Sequence, residues 1–212
     1  MGELLSVNVA EIREIPRRGR MVRTGIWKFP APGRLAVRGV NVDGDEQADR
    51  TVHGGYDKAV YAYAREDYDW WEAELGRELG PGTFGENLTV SGVDVSSALV
   101  GERWRIADVV LEVSEPRLPC WKLGYKMGDP RFLKRFAQAL RPGAYLRVID
   151  EGTLGAGDPI NVIERPGHEV TMRSMVEAHL GEPALSATLL AAPALSDGWR
   201  QWAEDRVARA AA

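Results

Sequence analysis

The sequence predicts a mainly β fold: a closed or nearly closed barrel with a few helices, followed by a small C-terminal unit of three helices. Through about residue 163, short alternating or β-branched segments are separated by glycine and proline, a pattern typical of strands. Only two helical patterns interrupt these segments, and the lack of regular strand-helix alternation disfavours a parallel α/β sheet. Beyond Pro166 and Gly167 alanine, leucine and charged residues dominate, so we predict a barrel domain at residues 1–166 and a helical unit at 167–212.

The predicted strands are short and follow one another closely. Residues 104–106 and 109–113 flank Ala107 and Asp108, which predicts a hairpin with a tight polar turn. The 212 residues, 44% of them hydrophobic, suffice for one domain of this kind with a small appendage. Further strands are predicted at residues 35–37, 40–42, 144–149 and 159–163.

Two helices are predicted within the barrel region. The first spans about residues 66–79 and carries Trp70 and Trp71 on or near one face, most simply as core. The second starts with Asp129 as the capping residue and Pro130 at the first helical position. Its apolar stripe consists of Phe132, Leu133, Phe136 and Leu140. The C-terminal helices are predicted at residues 171–180, 184–190 and 197–210.

Composition limits the compartment and the partners. The formal net charge of -4 gives no general attraction to nucleic acid or to an anionic membrane surface. No apolar run approaches the roughly 20 residues that a membrane-spanning helix requires. A single cysteine excludes an internal disulfide and a cysteine-only zinc site, and it suits a reducing compartment. We therefore expect a cytoplasmic protein without nucleic-acid or membrane partners.

The single cysteine, Cys120, lies in a setting that suits a metal ligand. It follows a predicted strand through residues 116–119, in which two prolines restrict the backbone. Arg117, Lys122 and Lys126 favour the thiolate, the form of cysteine that binds metals. Soft sulfur suits electron-rich metals of variable oxidation state, and one cysteine suffices when a cofactor supplies the remaining coordination. The alternative left open is that Cys120 is simply a small apolar residue buried in the core.

His53, Gly54 and Gly55 follow an acidic stretch at residues 43–49 and predict a loop whose backbone can approach a ligand closely. A histidine there can donate a proton near neutral pH, since its unperturbed pKa is about 6.5. A structural or solvent-exposed histidine is equally compatible with this spacing. The acidic residues lack the closing glutamate of a calcium loop, so we interpret them as turn and network residues.

Two further motifs offer polar groups. Glu86 and Asn87 lie between glycines and a predicted strand, where a carboxylate and an amide are held at a fixed place and the amide can both donate and accept, although a capped turn explains them as well. Lys28 ends the segment 24–28, preceded by a cluster of arginines. An anion site and a solvated loop both fit this charge run, and the solvated loop is the more usual meaning.

Six ordered segments resemble the MOSC family, the domain also found at the C-terminus of molybdenum-cofactor sulfurases and in amidoxime-reducing components. The likeness is closest to the YiiM-like branch, whose three-helix extension is similar to the tail after Gly167. Any one segment is weak by itself, but six in one order are much harder to obtain by chance. They are residues 24–28, 44–49, 53–55 with 58–60, 85–89, 116–120 and 142–145.

The resemblance implies a β-barrel that binds the molybdenum cofactor, Mo-molybdopterin, with Cys120 ligating molybdenum. It implies reduction of small N-hydroxylated substrates, such as hydroxylaminopurines or amidoximes, to amines or amidines. His53 or Lys28 is then expected to deliver protons or to anchor the cofactor. The resemblance also assigns cofactor binding to Gly54, Glu86, Asn87, Arg117 and Tyr145.

Other functions fit the same residues. A non-catalytic carrier could hold the cofactor or a cysteine persulfide and pass it on, and a hydrolase could use Cys120 with His53, although no local nucleophile signature supports it. The sequence lacks iron-sulfur cysteine motifs and a dinucleotide-binding glycine signature, which predicts a separate flavin or iron-sulfur reductase as the electron donor. The oligomeric state stays open, with a homodimer as one option.

Overall fold

The structure, a computed structural model, describes residues 2–48, 54–181 and 183–211. Seven strands of this described part close into a β-barrel in the order β13-β9-β10-β11-β7-β8-β1, and pairing of β1 with β13 completes the ring. The strands are β1 (Gly2–Val9), β2 (Arg13–Arg17), β3 (Arg20–Thr24), β4 (Phe29–Pro30), β5 (Arg34–Arg38), β6 (Asn41–Val42), β7 (Val60–Ala64), β8 (Leu88–Ser91), β9 (Arg103–Ile106), β10 (Val109–Glu115), β11 (Ala144–Asp150), β12 (Gly152–Gly155) and β13 (Pro159–Glu164). The predicted barrel is therefore confirmed.

Six α-helices accompany the strands in the described ranges. They are α1 (Arg65–Leu75), α2 (Trp121–Met127), α3 (Phe132–Gln138), α4 (Met172–Leu180), α5 (Pro183–Leu189) and α6 (Asp197–Ala211). The three C-terminal helices lie within a few residues of their predicted bounds, and the hairpin of β9 and β10 turns at Ala107 and Asp108 as predicted. Ala107 adopts a φ of 50°, which closes the turn in two residues.

The helices between the strands differ from the prediction in three places. Helix α1 ends at Leu75, not near residue 79, because Gly76 adopts a left-handed conformation and caps it. Helix α3 begins at Phe132, not at Pro130, and the Asp129 carboxylate accepts a hydrogen bond from the backbone N–H of Arg131 in the preceding turn. Helix α2 was not predicted at all; its apolar residues stand at every second position, which is the period of a strand and not of a helix.

Two hydrophobic clusters stabilise the fold. One fills the barrel and continues without a break into the C-terminal helices, where it includes Met172, Met175 and Trp199. The other consists mainly of aromatic residues on the outer side of β7, including Tyr63, Trp71 and Phe84, under α1, α2 and α3. Because β7 has a cluster on each face, all five of its residues are buried. The division at residue 166 stays a prediction.

The outer face of β10 is covered by the chain that leads to α6. Arg147 on β11 pairs with Glu112 at 2.8 Å and donates to the backbone oxygen of Ala194 at 3.0 Å. Ser196 donates to the Glu115 carboxylate at 2.9 Å. These bonds fix the C-terminal segment beside the end of β10, from which the loop to Cys120 departs.

No helix of the described residues is both long and apolar enough to cross a membrane.

Candidate functional site

Cys120 lies where two clefts meet. It is half-buried at the start of α2, at the end of the loop that leaves β10. The first cleft, here called the charged cleft, measures about 600 Å³ with the open space at its mouth. Its lining residues are Thr24, Gly25, Ile26, Lys28, Asp45, Glu46, Gln47, Ala48, Lys58, Tyr61, Gly85, Asn87, Arg117, Cys120, Lys122 and Tyr145.

The second cleft, here called the aromatic cleft, measures about 930 Å³ with its open mouth. The loop after β10 forms one wall, and helices α4 and α6 form the other. Its lining residues are Lys58, Glu115, Pro116, Leu118, Pro119, Cys120, Tyr145, His179, Gly198, Trp199 and Trp202. Lys58, Cys120 and Tyr145 belong to both clefts, so a group held in one lies beside a group held in the other.

A buried ion pair lies on the wall of the charged cleft. The Lys28 ammonium donates to both carboxylate oxygens of Asp45, and both residues are less than a tenth exposed. Asp45 also accepts from the backbone N–H of Ala10 at 2.9 Å. Burial lowers the pKa of Lys28, although the Asp45 carboxylate opposes this shift. The pair therefore holds the loop after β6 against the segment before β4.

Asn87 fixes this ion pair to the barrel. Its side-chain N–H groups donate to Asp45 at 2.9 Å and to the backbone oxygen of Asn8 at 3.2 Å. Its side-chain oxygen accepts from the backbone N–H of Tyr61 at 3.2 Å. Both amide hydrogens are already used, so Asn87 acts here mainly by positioning Asp45.

Arg117 lies buried behind Cys120. Its guanidinium donates to the backbone oxygen of Phe84 and lies 5.3 Å from the ring centre of Tyr61, which is within cation-π distance. Burial lowers the pKa of Arg117, but interactions with Tyr61, Tyr145 and Cys120 outweigh this effect and hold the pKa above its ordinary value. A permanent positive charge beside the sulfur favours the thiolate form of Cys120.

Glu86 lies beneath the charged cleft and does not line it. The turn formed by residues 82–85 wraps around its fully buried carboxylate, which accepts from the Gly82 backbone N–H at 2.7 Å and from the Thr89 hydroxyl at 2.8 Å. The Tyr68 hydroxyl donates to the same oxygen. The other carboxylate oxygen has no hydrogen-bond partner among the described residues. Glu86 therefore holds together the turn behind the cleft and does not itself face the cleft.

Lys126 joins the two loops on either side of this carboxylate. Its ammonium donates to the backbone oxygens of Ile26 at 2.9 Å and Gly82 at 2.6 Å. Burial lowers the pKa of Lys126 to about 7, with Glu86 opposing and Arg117 reinforcing the shift. Lys126 thus lies close to its midpoint of ionisation at neutral pH.

Two tyrosines complete the wall next to Cys120. The rings of Tyr61 and Tyr145 lie 5.0 Å apart, and the Tyr61 hydroxyl donates to the backbone oxygen of Pro142 at 2.7 Å. Burial raises the pKa of Tyr145 to about 12, although Arg117 opposes the shift. Burial likewise raises the pKa of Tyr61. Both hydroxyls therefore stay protonated at neutral pH.

The aromatic cleft presents ring faces and few polar groups. The rings of Trp199 and Trp202 are 5.3 Å apart and meet edge to face, and the His179 imidazole lies 5.3 Å from Trp202. Burial lowers the pKa of His179, and the nearby Arg206 adds to the shift, so the imidazole is mainly neutral at pH 7. Next to Cys120 the wall of the aromatic cleft becomes charged, because Lys58 and Glu115 form an ion pair there at 3.1 Å.

The structure brings most predicted site residues together. Lys28, Asn87, Arg117, Cys120 and Tyr145 all line the charged cleft, although they come from distant parts of the chain. Glu86 lies behind it, as described above. Gly54 is half-buried and is not among the described lining residues. His53 lies outside the described residues. The roles assigned to these residues stay predictions.

Sequence reasoning missed several residues of the two clefts. Asp45 was interpreted only as a network residue, and nothing in its spacing marks it as the partner of Lys28. Tyr61 lies in a fully buried strand and could be identified only as core. Trp199 and Trp202 belong to a helical pattern that predicts α6, but the pattern does not show that α6 packs beside the loop that carries Cys120. Among the described residues, no group of three His, Cys, Asp or Glu side chains is placed to hold a metal ion.

Comparisons with known proteins find similar chains. A model of the MOSC domain matches residues 49–161. The uncharacterized protein YflK of Bacillus subtilis is 35% identical over 93% of this chain and 90% of its own length. A protein named reductase from Gibberella moniliformis is 36% identical over 78% of this chain, which spans only 30% of that protein. The crystal structure of YiiM from Geobacillus stearothermophilus has a TM-score of 0.79 at 28% identity, covering 97% of this chain and 99% of that one.

Proposed function

This chain belongs to the MOSC domain family, in its YiiM-like branch, and we propose that it is a molybdenum-cofactor-dependent oxidoreductase that reduces N-hydroxylated compounds to amines. MOSC domains are associated with molybdenum-cofactor binding. The relative named reductase supports a redox role, although this chain corresponds to less than a third of it. Cys120 is the proposed molybdenum ligand.

One observation carries the proposal: Cys120 lies at the boundary between a cleft lined by charges and a cleft lined by aromatic rings. A metal bound to its sulfur would face both clefts at once. A cofactor in the charged cleft and a substrate in the aromatic cleft could then meet at this metal.

The charged cleft fits a flat, anionic cofactor rich in hydrogen-bonding groups. Gly25 and Gly85 let the loops of its wall pack closely, because a Cβ would collide with the Glu46 backbone oxygen at the first position and would meet the Ile26 side chain at 3.0 Å at the second. The buried side-chain oxygen of Gln47 has no hydrogen-bond partner in the described residues and can accept one from a pterin. Arg117 and Lys122 would hold the phosphate, and the thiolate of Cys120 is a soft ligand suited to molybdenum.

The proposed reaction consumes two electrons and two protons: a hydroxylamine, R–NH–OH, gives an amine, R–NH₂, and water. When bound, the cofactor supplies the two-electron redox centre for cleavage of the N–O bond. The chain itself orients the substrate and supplies protons. The Lys58 ammonium, shared by both clefts and paired with Glu115, is well placed to donate a proton to the leaving oxygen. Lys28, buried in its ion pair, is better suited to anchoring.

The aromatic cleft favours hydroxylaminopurines over small aliphatic amidoximes as substrates. A flat ring can stack against Trp202 while its N-hydroxyl group points to Cys120. The leading alternative function is a carrier that holds the cofactor, or a persulfide on Cys120, without turnover.

The proposal is tested by measuring two quantities in the same preparations: the molybdenum content per chain and the rate of reduction of 6-hydroxylaminopurine. The wild type, expressed with molybdate in a cofactor-competent host, is expected to hold about one molybdenum atom per chain and to reduce 6-hydroxylaminopurine when a chemical reductant is supplied. Cys120→Ala should lose both the metal and at least a hundredfold of the activity. Trp202→Leu, in the other cleft, should keep its metal.

Each contrary result has a distinct meaning. An active wild type without molybdenum would exclude the proposed cofactor. A loaded wild type that binds 6-hydroxylaminopurine but does not reduce it with a competent reductant would favour the carrier. Full metal content in Cys120→Ala would remove the cysteine from the coordination.

A further inference from the structure

The hairpin formed by β2 and β3 carries the strongest local charge of the chain. Residues 13–24 contain five arginines and one glutamate, a formal charge of +4 within a chain of net charge -4. We propose that this hairpin is the docking site for an acidic redox protein that delivers electrons to the site at Cys120. The inference rests on the proposed function and names its partner by charge and chemistry.

The arginines of the hairpin are available to a partner. All five are exposed, and none forms an ion pair with a carboxylate of the described residues. Two of them have ring contacts instead: Arg13 lies 5.3 Å from the ring centre of Phe29, and Arg17 lies 4.1 Å from that of Trp121. Their charges therefore stay unneutralised at the surface.

Apart from Glu14, which lies opposite Arg23, the charges do not stabilise the hairpin itself. Arg17 and Arg20 are direct cross-strand partners on either side of the turn at Arg18 and Gly19, and like charges in that position destabilise a strand pair. Of the ten strand residues only Ile15 and Thr24 are buried. A purely structural role would not concentrate three arginines at this turn.

The hairpin is joined to the site at two points. Thr24, its last residue, lines the charged cleft. Arg17 contacts Trp121, the residue that follows Cys120. A protein bound to the hairpin would therefore cover the wall that carries the cysteine, where two electrons must arrive for each N–O bond reduced.

The size of the patch favours a compact acidic protein over nucleic acid. Each hairpin strand has five residues, about 17 Å at some 3.4 Å per residue. DNA carries a charge about every 1.7 Å along its axis, so its phosphates would extend past the hairpin onto a chain whose remaining charge is negative. An acidic patch on a flavoprotein or iron-sulfur protein is small enough to contact the hairpin without extending onto the negatively charged remainder of the chain.

A charge reversal at the turn tests the proposal. The molybdenum-loaded Arg18→Glu/Arg20→Glu variant is compared with the wild type in reducing 6-hydroxylaminopurine, using reduced flavodoxin, a strongly acidic flavoprotein, as the donor. We expect the KM for flavodoxin at low salt to rise roughly tenfold, because opposite charges speed association, and the difference to shrink at high salt. Arg20→Glu places a carboxylate opposite Arg17, so the hairpin itself should not weaken.

Two controls separate docking from other effects. Arg131→Glu/Lys134→Glu makes the same charge change on exposed residues at the N-terminal end of α3 and should alter the KM for flavodoxin less than twofold. Reduced methyl viologen, a small cationic donor, should drive both variants and the wild type equally. Equal KM values in the two charge-reversed variants, or a wild-type KM indifferent to salt, would overturn the proposal.

Other outcomes point elsewhere. Loss of molybdenum from the hairpin variant would mean that these arginines hold the cofactor, and tight binding of duplex DNA with none of flavodoxin would assign the patch to nucleic acid; either result overturns the docking proposal. A loaded wild type that fails with methyl viologen would instead refute the proposed function. Salt-dependent binding of flavodoxin, measured by calorimetry, would still test the docking surface in that case.

Discussion

The charged cleft and the aromatic cleft share Cys120 but are held together by different interactions. In the charged cleft, Lys28, Asp45 and Asn87 form one buried network tied to the backbone of β1 and β7. In the aromatic cleft, Trp199 and Trp202 contribute ring packing on a helix outside the barrel. A buried polar network tolerates few substitutions, because each one leaves a partner unsatisfied. A packed helix face tolerates many apolar substitutions, provided that the side-chain volume is similar.

This difference suggests a division of labour under the proposed function. The barrel would hold the cofactor in a fixed geometry, which needs buried and fully bonded polar groups. The C-terminal helices would select the substrate, and substitutions on α6 could change the aromatic cleft without disturbing the barrel.

The largest effect is expected from breaking the buried ion pair. Asp45→Ala leaves the Lys28 ammonium and the Ala10 N–H without their acceptor in the interior, so the free energy of unfolding should fall by about 3–5 kcal/mol. Urea denaturation measures this fall. Asp43→Ala, which removes the partner of the exposed Arg38, is the matched control and should change the free energy of unfolding very little.

A double variant checks the cause. Replacing both charges, as Lys28→Met/Asp45→Leu, should restore most of the lost stability, since no buried charge is left unpaired. If the double variant is as unstable as Asp45→Ala, hydrogen bonds to Ala10 and Asn87, not the ion pair, determine the stability of the charged cleft.

The charged cleft should also respond to pH through Lys126. Its pKa is about 7 in the folded protein and near the ordinary 10.5 when unfolded. Between these values the unfolded chain binds more protons, so this residue's contribution makes stability rise with pH. The free energy of unfolding of the wild type relative to Lys126→Met should increase by about 2 kcal/mol from pH 7 to pH 9. A flat difference over this range would show that Lys126 keeps an ordinary pKa.

The smallest effect is expected in the aromatic cleft. Trp202→Leu removes the stacking face while keeping apolar volume, so the KM for 6-hydroxylaminopurine should rise roughly tenfold, about 1.4 kcal/mol. A small aliphatic hydroxylamine should be affected less than twofold. Trp70→Leu, at a half-buried tryptophan that lines neither cleft, is the control. An equal loss for both substrates would mean that the aromatic cleft does not select a ring.

The elements with regular patterns were predictable because their residues repeat over enough positions. Four of the seven barrel strands (β9, β10, β11 and β13), the hairpin at Ala107 and Asp108 and the three C-terminal helices were predicted close to their observed places. Strands β1 and β7 were not predicted as separate elements. Helix α2 was not predicted, because its apolar residues alternate with polar residues and glycine as they do in a strand. The early end of α1 depends on Gly76, whose left-handed conformation satisfies the last carbonyls of the helix.

The sequence by itself determined the barrel, its helical extension and the family, and it marked Cys120 and its positively charged neighbours as candidates for chemistry. Only the tertiary structure decided which residues meet. Lys28 and Asp45 are 17 positions apart and Asn87 lies 42 positions beyond Asp45, so no local spacing relates them. The aromatic cleft likewise exists only because α4 and α6 pack beside the loop after β10. Periodicity is a local property of the chain, whereas a site formed across a closed barrel depends on strand pairings between distant segments.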